Sequence, residues 1–173
     1  MIHLKRIDEL FDVLKSADVQ DFKWLYKTPP KFNASMWVKA GGSYYFCVIG
    51  LDNGTLQYSF SSDESEDFEE LTGRGELLKI LSTAPEVVDT FRAAMEAEGF
   101  DDAIVNDIMI QPSKTKRKEE FDSTPAINTS RGRIYHAAMT KWLKRYKYKF
   151  EDYNDSLVYT FDTPIPLNIF TLK

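Results

Sequence analysis

The fold is decided by residues 43–60, which read SYYFCVIGLDNGTLQYSF. Aromatic and β-branched residues, which favour strands, dominate on both sides of Asp52-Asn53-Gly54. An Asn-Gly pair readily adopts the positive φ angles of a tight hairpin turn, so the two runs are predicted to pair antiparallel. Met36 to Lys39 adds a short strand before Gly41-Gly42. We therefore predict an antiparallel meander over residues 36–61 with one face on the core.

Helical patterns flank this meander on both sides. Apolar residues at helical spacing predict a helix over residues 4–17, and residues 21–26 are predicted to add one more turn before Pro29-Pro30. After the meander, a helical pattern runs through residues 75–99 and ends at its last glycine. Pro85 interrupts this pattern, so we expect a kink or a restart with proline in the first helical turn.

The last third of the chain supplies the remaining elements. They are a strand at 103–110, a flexible loop at about 111–130, a helix at 131–146 with Ser130 as its N-cap, a closing hairpin of 148–150 with 157–161, and a tail loosened by Pro164 and Pro166. The inner face of the helix is predicted to comprise Ile134, Tyr135, Ala138, Met139 and Trp142. The pattern predicts a single α+β domain over residues 1–173, with a central, mainly antiparallel mixed sheet flanked by helices.

Composition narrows the class of protein. With 173 residues, of which 43% are hydrophobic, the chain can bury a sizeable core. A net charge of -5 argues against general nucleic-acid binding. The single cysteine, Cys47, cannot form an internal disulfide and is predicted to be a small core residue in a reducing compartment. The first residues lack the apolar core of a signal peptide, and no apolar run is long enough to cross a bilayer, so we expect a cytoplasmic protein without a membrane partner.

Charge is distributed unevenly along the chain. An acidic connection is followed by a basic loop and a basic helix, and such patches steer protein partners. The acidic residues are Asp63, Glu64, Glu66, Asp67, Glu69 and Glu70. The basic residues predicted to bind a partner are Lys114, Lys116, Arg117, Lys118, Arg131 and Arg133. No metal is expected, because the acidic run lacks EF-hand spacing and the two histidines, His3 and His136, lie far apart in sequence.

The glycines of Thr72-Gly73-Arg74-Gly75 lie where a strand is predicted to give way to a helix. Backbone N–H groups and the helix dipole make such a junction suitable for a phosphate, although a tight turn needing positive φ explains the glycines equally well. Arg133-Ile134-Tyr135 lies in the next long helix. There Tyr135 is either a functional phenol or an ordinary helix aromatic with its hydroxyl at the surface.

The order of elements, with these two motifs, resembles the core of GNAT-type N-acetyltransferases. This resemblance implies that acetyl-CoA binds at Gly73, Arg74 and Gly75, and that Tyr135 protonates the leaving thiolate. A base for the attacking amine would come from the acidic run at 63–69 or from water. Glu70 departs from the family pattern, which has Arg or Gln at that position, and a carboxylate there would repel a pyrophosphate.

The same two motifs also resemble a group of tailed-bacteriophage proteins with a GNAT-like core and no established activity, over roughly residues 43–145. This second resemblance implies a protein that acts inside an infected bacterium. Our first hypothesis is that it binds a host or phage protein, with or without catalytic activity. The alternative is an acetyl-CoA-dependent N-acetyltransferase with an amine acceptor.

Overall fold

The computed structural model describes residues 18–40, 42–61, 80–111, 130–153 and 156–173. In chain order the elements are β1 (Asp18–Thr28), β2 (Lys31–Ala40), β3 (Ser43–Asp52), β4 (Thr55–Ser61), α1 (Ala84–Ala97), β5 (Ile104–Ile110), α2 (Ser130–Trp142), β6 (Tyr148–Asp152), β7 (Leu157–Pro166) and a 3-10 turn at Leu167–Ile169. These strands form one seven-stranded sheet of order β1-β2-β3-β4-β5-β7-β6. Only β4 and β5 pair in parallel. The predicted α+β fold with a mainly antiparallel mixed sheet is confirmed.

The predicted meander is present and longer than expected. β2 begins at Lys31, five residues before the predicted strand, and pairs with β3 along its whole length. The turn between β3 and β4 has φ angles of 50° at Asn53 and 86° at Gly54, as the hairpin signal predicted. A Cβ at Gly54 would also lie 2.1 Å from the side-chain nitrogen of Asn106, so another residue here would force Asn106 to move. The Gly54 carbonyl accepts from the Asn106 N–H at 2.8 Å. The turn thereby fixes the start of β5 as well.

The expectation of a helical turn at residues 21–26 is wrong, because this segment belongs to β1. Two register shifts interrupt its pairing with β2, and Asp21 has a positive φ of 54°. These irregularities break the strict alternation of a strand, so the apolar residues no longer recur with a period of two. Phe22 and Trp24 pack against the core, whereas Leu25 and Tyr26 are exposed. Pro29-Pro30 forms the turn into β2, so the two prolines do end the preceding element, although that element is a strand and not a helix.

Both described helices lie on the same face of the sheet. Residues that pair directly across neighbouring strands point to the same side of a sheet. One such row crosses β1 to β4 and consists of Trp24, Ala34, Ile49 and Tyr58. The first member of the row contacts Phe91 of α1, with ring centroids 5.9 Å apart. The last member contacts α2, as described below. Among the described residues, no helix is long and apolar enough to span a membrane.

The helix ends follow local signals in α1 more closely than in α2. α1 begins at Ala84 with Pro85 in its first turn, and Gly99 follows its end with a φ of 85°, as predicted. α2 was expected to start after Ser130 and run to Tyr146. It includes Ser130 and stops at Trp142. Its predicted inner face is confirmed, since Ile134, Tyr135, Ala138, Met139 and Trp142 are all buried.

The C-terminal segment explains the early end of α2 and corrects the expectation of a loose tail. β7 continues through both prolines to Pro166. The Tyr146 hydroxyl donates to the Thr171 carbonyl at 3.1 Å and accepts from its N–H at 3.2 Å, so the chain just after α2 is bonded to the C-terminal segment. Phe170 is fully buried and stacks on Tyr146. The Lys173 ammonium then reaches α1, 3.0 Å from Glu86 and 2.9 Å from Asp89. This segment therefore connects the chain just after α2 with α1.

Candidate functional site

The parallel pairing of β4 with β5 is short. It consists of three pairs, of which Gln57 with Met109 is the last. β4 nevertheless remains paired with β3 as far as Ser61, and β5 remains paired with β7 as far as Ile110. In the part of the chain that the structure describes, the parallel pairs with β5 thus do not continue along residues 58–60 of β4. We call this gap between β4 and β5 the wedge. Strand N–H and C=O groups require partners, so the wedge is a place where an added chain or ligand can pair.

Tyr58 is the first residue of β4 beyond the parallel pairs, and its side chain is buried under α2. Its hydroxyl donates to the thioether sulfur of Met139 at 3.4 Å. A thioether is a weak acceptor, whereas a buried phenol normally has a good partner. Burial raises the pKa of Tyr58 well above its ordinary value, and the nearby Tyr135, Tyr159 and Cys47 raise it further. The wedge is therefore lined by a protonated phenol with little to bond to.

Tyr135 lies in α2 one turn before Met139, on the same side of the helix. Its side chain is 8% exposed, so it is a buried aromatic and not a surface one. It is close enough to Tyr58 to affect the ionisation of that phenol. The tyrosine singled out from the sequence is therefore part of the core beneath α2.

His136 and Tyr159 extend the group of polar side chains away from the wedge. The Nδ1 atom of His136 lies 2.8 Å from the Tyr159 hydroxyl. Its ring packs between Phe150, 4.4 Å away, and Tyr159, 5.9 Å away. Burial lowers the pKa of His136, and Asp152 opposes this effect. Burial also raises the pKa of Tyr159, with smaller contributions from Tyr148 and Asp152. Both groups are therefore neutral near pH 7.

Sequence reasoning missed this pair and considered His136 only as a metal ligand. No local signal connects the two residues, because their contact depends on how β7 pairs with its neighbours. One row of directly paired residues crosses β4, β5, β7 and β6 and consists of Leu56, Ile108, Tyr159 and Phe150. This row places the Tyr159 side chain beneath α2. Among the described residues, no group of three or more His, Cys, Asp or Glu side chains could hold a metal ion.

Cys47 lies beside the wedge on β3, opposite Phe60 of β4. Its side chain is fully buried, as predicted for a small core residue. Burial raises the pKa of the thiol far above its ordinary value, and a hydrogen bond with the Ser59 backbone offsets only part of this. A thiol held in this way is not a nucleophile.

Most of the other predicted site residues fall outside the described part of the chain. These are Gly73, Arg74 and Gly75, the acidic residues at 63–70, and Lys114, Lys116, Arg117 and Lys118. The glycine motif occupies the connection that leads from β4 to α1. Arg131 belongs to α2, with its side chain outside the description, and Arg133 is exposed on the same helix.

Comparison with protein-family models, with curated proteins and with solved structures finds no match for this chain.

Proposed function

We propose that this protein binds acetyl-CoA in the wedge and transfers the acetyl group to an amine. The observation that carries the proposal is the early end of the β4–β5 pairing at Gln57 and Met109, beside the two buried phenols Tyr58 and Tyr135. An extended arm that contains amides can pair with the free side of β4, as an added strand would. Its thioester would then lie next to hydroxyl groups that can donate to sulfur.

Tyr135 is the proposed general acid. Attack of the amine on the thioester carbonyl forms an N–C bond, releases one amine proton to water and breaks the C–S bond, which leaves a thiolate. A proton from the Tyr135 hydroxyl converts this thiolate into a thiol. Tyr58 supports the step because its pKa is raised, so it stays protonated and can donate a hydrogen bond to the same region.

The connection from β4 to α1 is proposed to hold the pyrophosphate. Backbone N–H groups of Gly73, Arg74 and Gly75 would bind it near the start of a helix, and the guanidinium would add a charge-assisted contact. The carboxylate of Glu70 acts against this binding. We therefore expect the protein to bind acetyl-CoA more weakly than it would with Arg or Gln at position 70.

The rival proposal is a GNAT-like bacteriophage protein that binds a host or phage protein without catalysis. The uneven charge of the sequence favours it, because an acidic connection followed by basic residues can steer a charged partner. Under this hypothesis the wedge would stay empty. Its test is recovery of partners from bacterial lysate by the wild type and by a variant with Lys114, Lys116, Arg117 and Lys118 changed to Ser. Equal recovery of every partner at low salt counts against it.

Calorimetry with acetyl-CoA and with CoA tests the enzyme hypothesis directly. We expect heat of binding for the wild type, and none for Gly75→Asp, which adds a side chain and a like charge beside the phosphates. Gln20→Asp is the matched control, because it adds the same charge at an exposed position of β1. Circular dichroism of each variant shows whether the fold is kept.

Tyr135→Phe separates binding from chemistry. It should bind acetyl-CoA as the wild type does but release thiol more slowly, by roughly 100-fold if the phenol is the general acid. If the wild type shows no binding at millimolar acetyl-CoA, the acetyltransferase proposal is wrong.

A further inference from the structure

The face of the sheet opposite the two described helices, which we call the outer face, carries exposed tyrosines. Ala34 points towards the helices, so Asn33 and Lys39, which lie at odd distances from it along β2, point away from them. Tyr26 of β1 pairs directly with Asn33 and therefore lies on the outer face. Tyr44 of β3 pairs with Lys39 and lies there too. The two tyrosines are 47% and 46% exposed, so their rings are open to solvent.

Each of these tyrosines has a lysine ammonium above its ring. The Nζ atom of Lys31 lies 5.7 Å from the centre of the Tyr26 ring. The Nζ atom of Lys39 lies 5.5 Å from the centre of the Tyr44 ring. Lys23 of β1 is exposed on the same face. In the described part of the chain none of these three ammonium groups forms an ion pair, so they are available to an anion.

Two aspartates on the outer face limit its positive charge. Asp18 lies opposite Lys39. Asp52 lies opposite Lys31 and accepts a hydrogen bond from the Asn53 side chain at 3.2 Å. The lysines alone therefore cannot hold an anion strongly, and the aromatic rings have to contribute. The net charge of -5 does not prevent binding here, because charges further away than about 10 Å are screened by salt.

Between the two tyrosines the outer face offers a third ring and an amide. Trp37 is partly exposed, and its ring packs edge-on against Phe46 with centroids 5.4 Å apart. Asn33 is also partly exposed, next to Tyr26. Because a strand rises about 3.3 Å per residue, the tyrosines opposite Asn33 and Lys39 lie roughly 20 Å apart along the sheet. The three rings thus form a track that several nucleotides can span.

We propose that the outer face of β1 to β3 binds single-stranded RNA. Sheets that bind single-stranded RNA stack its bases on exposed aromatic rings, while cations hold the phosphates. Tyr26, Trp37 and Tyr44 supply the rings, and the lysines beside them supply the cations. The Asn33 amide can bond to a 2′-hydroxyl, which DNA lacks. The phenols proposed for acetyl transfer lie on the helix side of the sheet, so this inference does not depend on that function.

Fluorescence anisotropy with a labelled oligouridylate of about 12 nucleotides tests this surface. Tyr26→Ala and Tyr44→Ala should each weaken binding by at least about fivefold, because a stacked base is lost. Tyr153→Ala is the matched control, since Tyr153 is 54% exposed but lies beyond the end of β6. It should bind as the wild type does. Circular dichroism of each variant checks that the fold is kept.

The salt dependence of binding provides a second measurement. The logarithm of the affinity should fall with the logarithm of the salt concentration with a slope of about -2, since Lys23, Lys31 and Lys39 each contribute about 0.7. Lys31→Ala and Lys39→Ala should each make the slope shallower by about 0.7. Lys27→Ala should leave it unchanged, because that ammonium lies 3.0 Å from Glu98 after α1, on the helix side.

The proposal is wrong if the wild type does not bind the oligouridylate at low salt, or if Tyr153→Ala weakens binding as much as the two outer-face variants do. Equal or tighter binding of an oligodeoxyuridylate of the same length overturns the assignment to RNA. Binding of phosphatidylserine vesicles without binding of the oligouridylate would identify a membrane surface and contradict the proposal as well. Failure to bind acetyl-CoA has no bearing on any of these results.

Discussion

The helices α1 and α2 pack on the same face of one sheet with different chemistry. The buried face of α1 is apolar, since Val87, Val88, Phe91 and Met95 are all fully buried against the core. α2 instead covers the hydroxyl groups of Tyr58 and Tyr159 and adds Tyr135 and His136 of its own. Burying polar groups costs free energy unless good partners are present, and an apolar core would fill the same space more stably. The packing of α1 therefore stabilises the fold, whereas the polar groups on and beneath α2 contribute little to the free energy of folding.

The largest expected effect is at α1. Phe91→Ala should lower the free energy of unfolding by about 3–5 kcal/mol, because it removes a fully buried ring and leaves a cavity against Trp24. Urea denaturation followed by circular dichroism measures the loss. A loss below about 1 kcal/mol would show that this part of the core can collapse around the gap, and that α1 is not the stabilising helix.

A smaller effect is expected beneath α2. Tyr58→Phe removes a hydroxyl whose hydrogen bond goes to a thioether, so the free energy of unfolding should change by less than about 1 kcal/mol. The same denaturation experiment applies, with Phe91→Ala as the reference. A loss of more than about 2 kcal/mol would mean that this phenol is a structural group, and the contrast between the helices would disappear.

The pH dependence of stability sharpens the contrast further. The pKa of His136 is lowered below its ordinary 6.5 in the folded protein, so the unfolded chain binds the proton more readily. The contribution of the neutral imidazole is therefore complete above pH 6.5 and is lost as the pH falls through the lowered folded pKa. His136→Gln should lose less stability than the wild type over this window. Parallel curves for His136→Gln and the wild type would contradict the prediction.

The smallest effect is expected at the surface. Lys27 of β1 lies 3.0 Å from Glu98 after α1, but the two side chains are 47% and 36% exposed. Pairs of this kind contribute little, so Lys27→Ala should change the free energy of unfolding by no more than about 0.5 kcal/mol. A double-mutant cycle with Glu98→Ala isolates the pair. Coupling above about 1 kcal/mol would show that α1 also depends on charge.

Resemblance to a family singled out Tyr135 as a candidate site residue, whereas the residues around it could not be predicted. The peptide Arg133-Ile134-Tyr135 carried that hypothesis from the sequence. Tyr58 and Tyr159 are aromatic residues in strands, and nothing in their neighbourhood distinguishes them from other core aromatics. Only pairing across the sheet brings them under α2, with Tyr159 23 residues from His136 along the chain.

The sequence by itself determined the elements whose signals are local. The turn at Asn53-Gly54 and the helix limits at Pro85 and Gly99 depend on φ angles and missing donors, which are properties of single residues. Only the tertiary structure decided that residues 21–26 are strand and that the β4–β5 pairing ends at Gln57. Both depend on hydrogen bonds to residues distant in sequence, and the free energy of such pairing outweighs the weak preferences of a short segment.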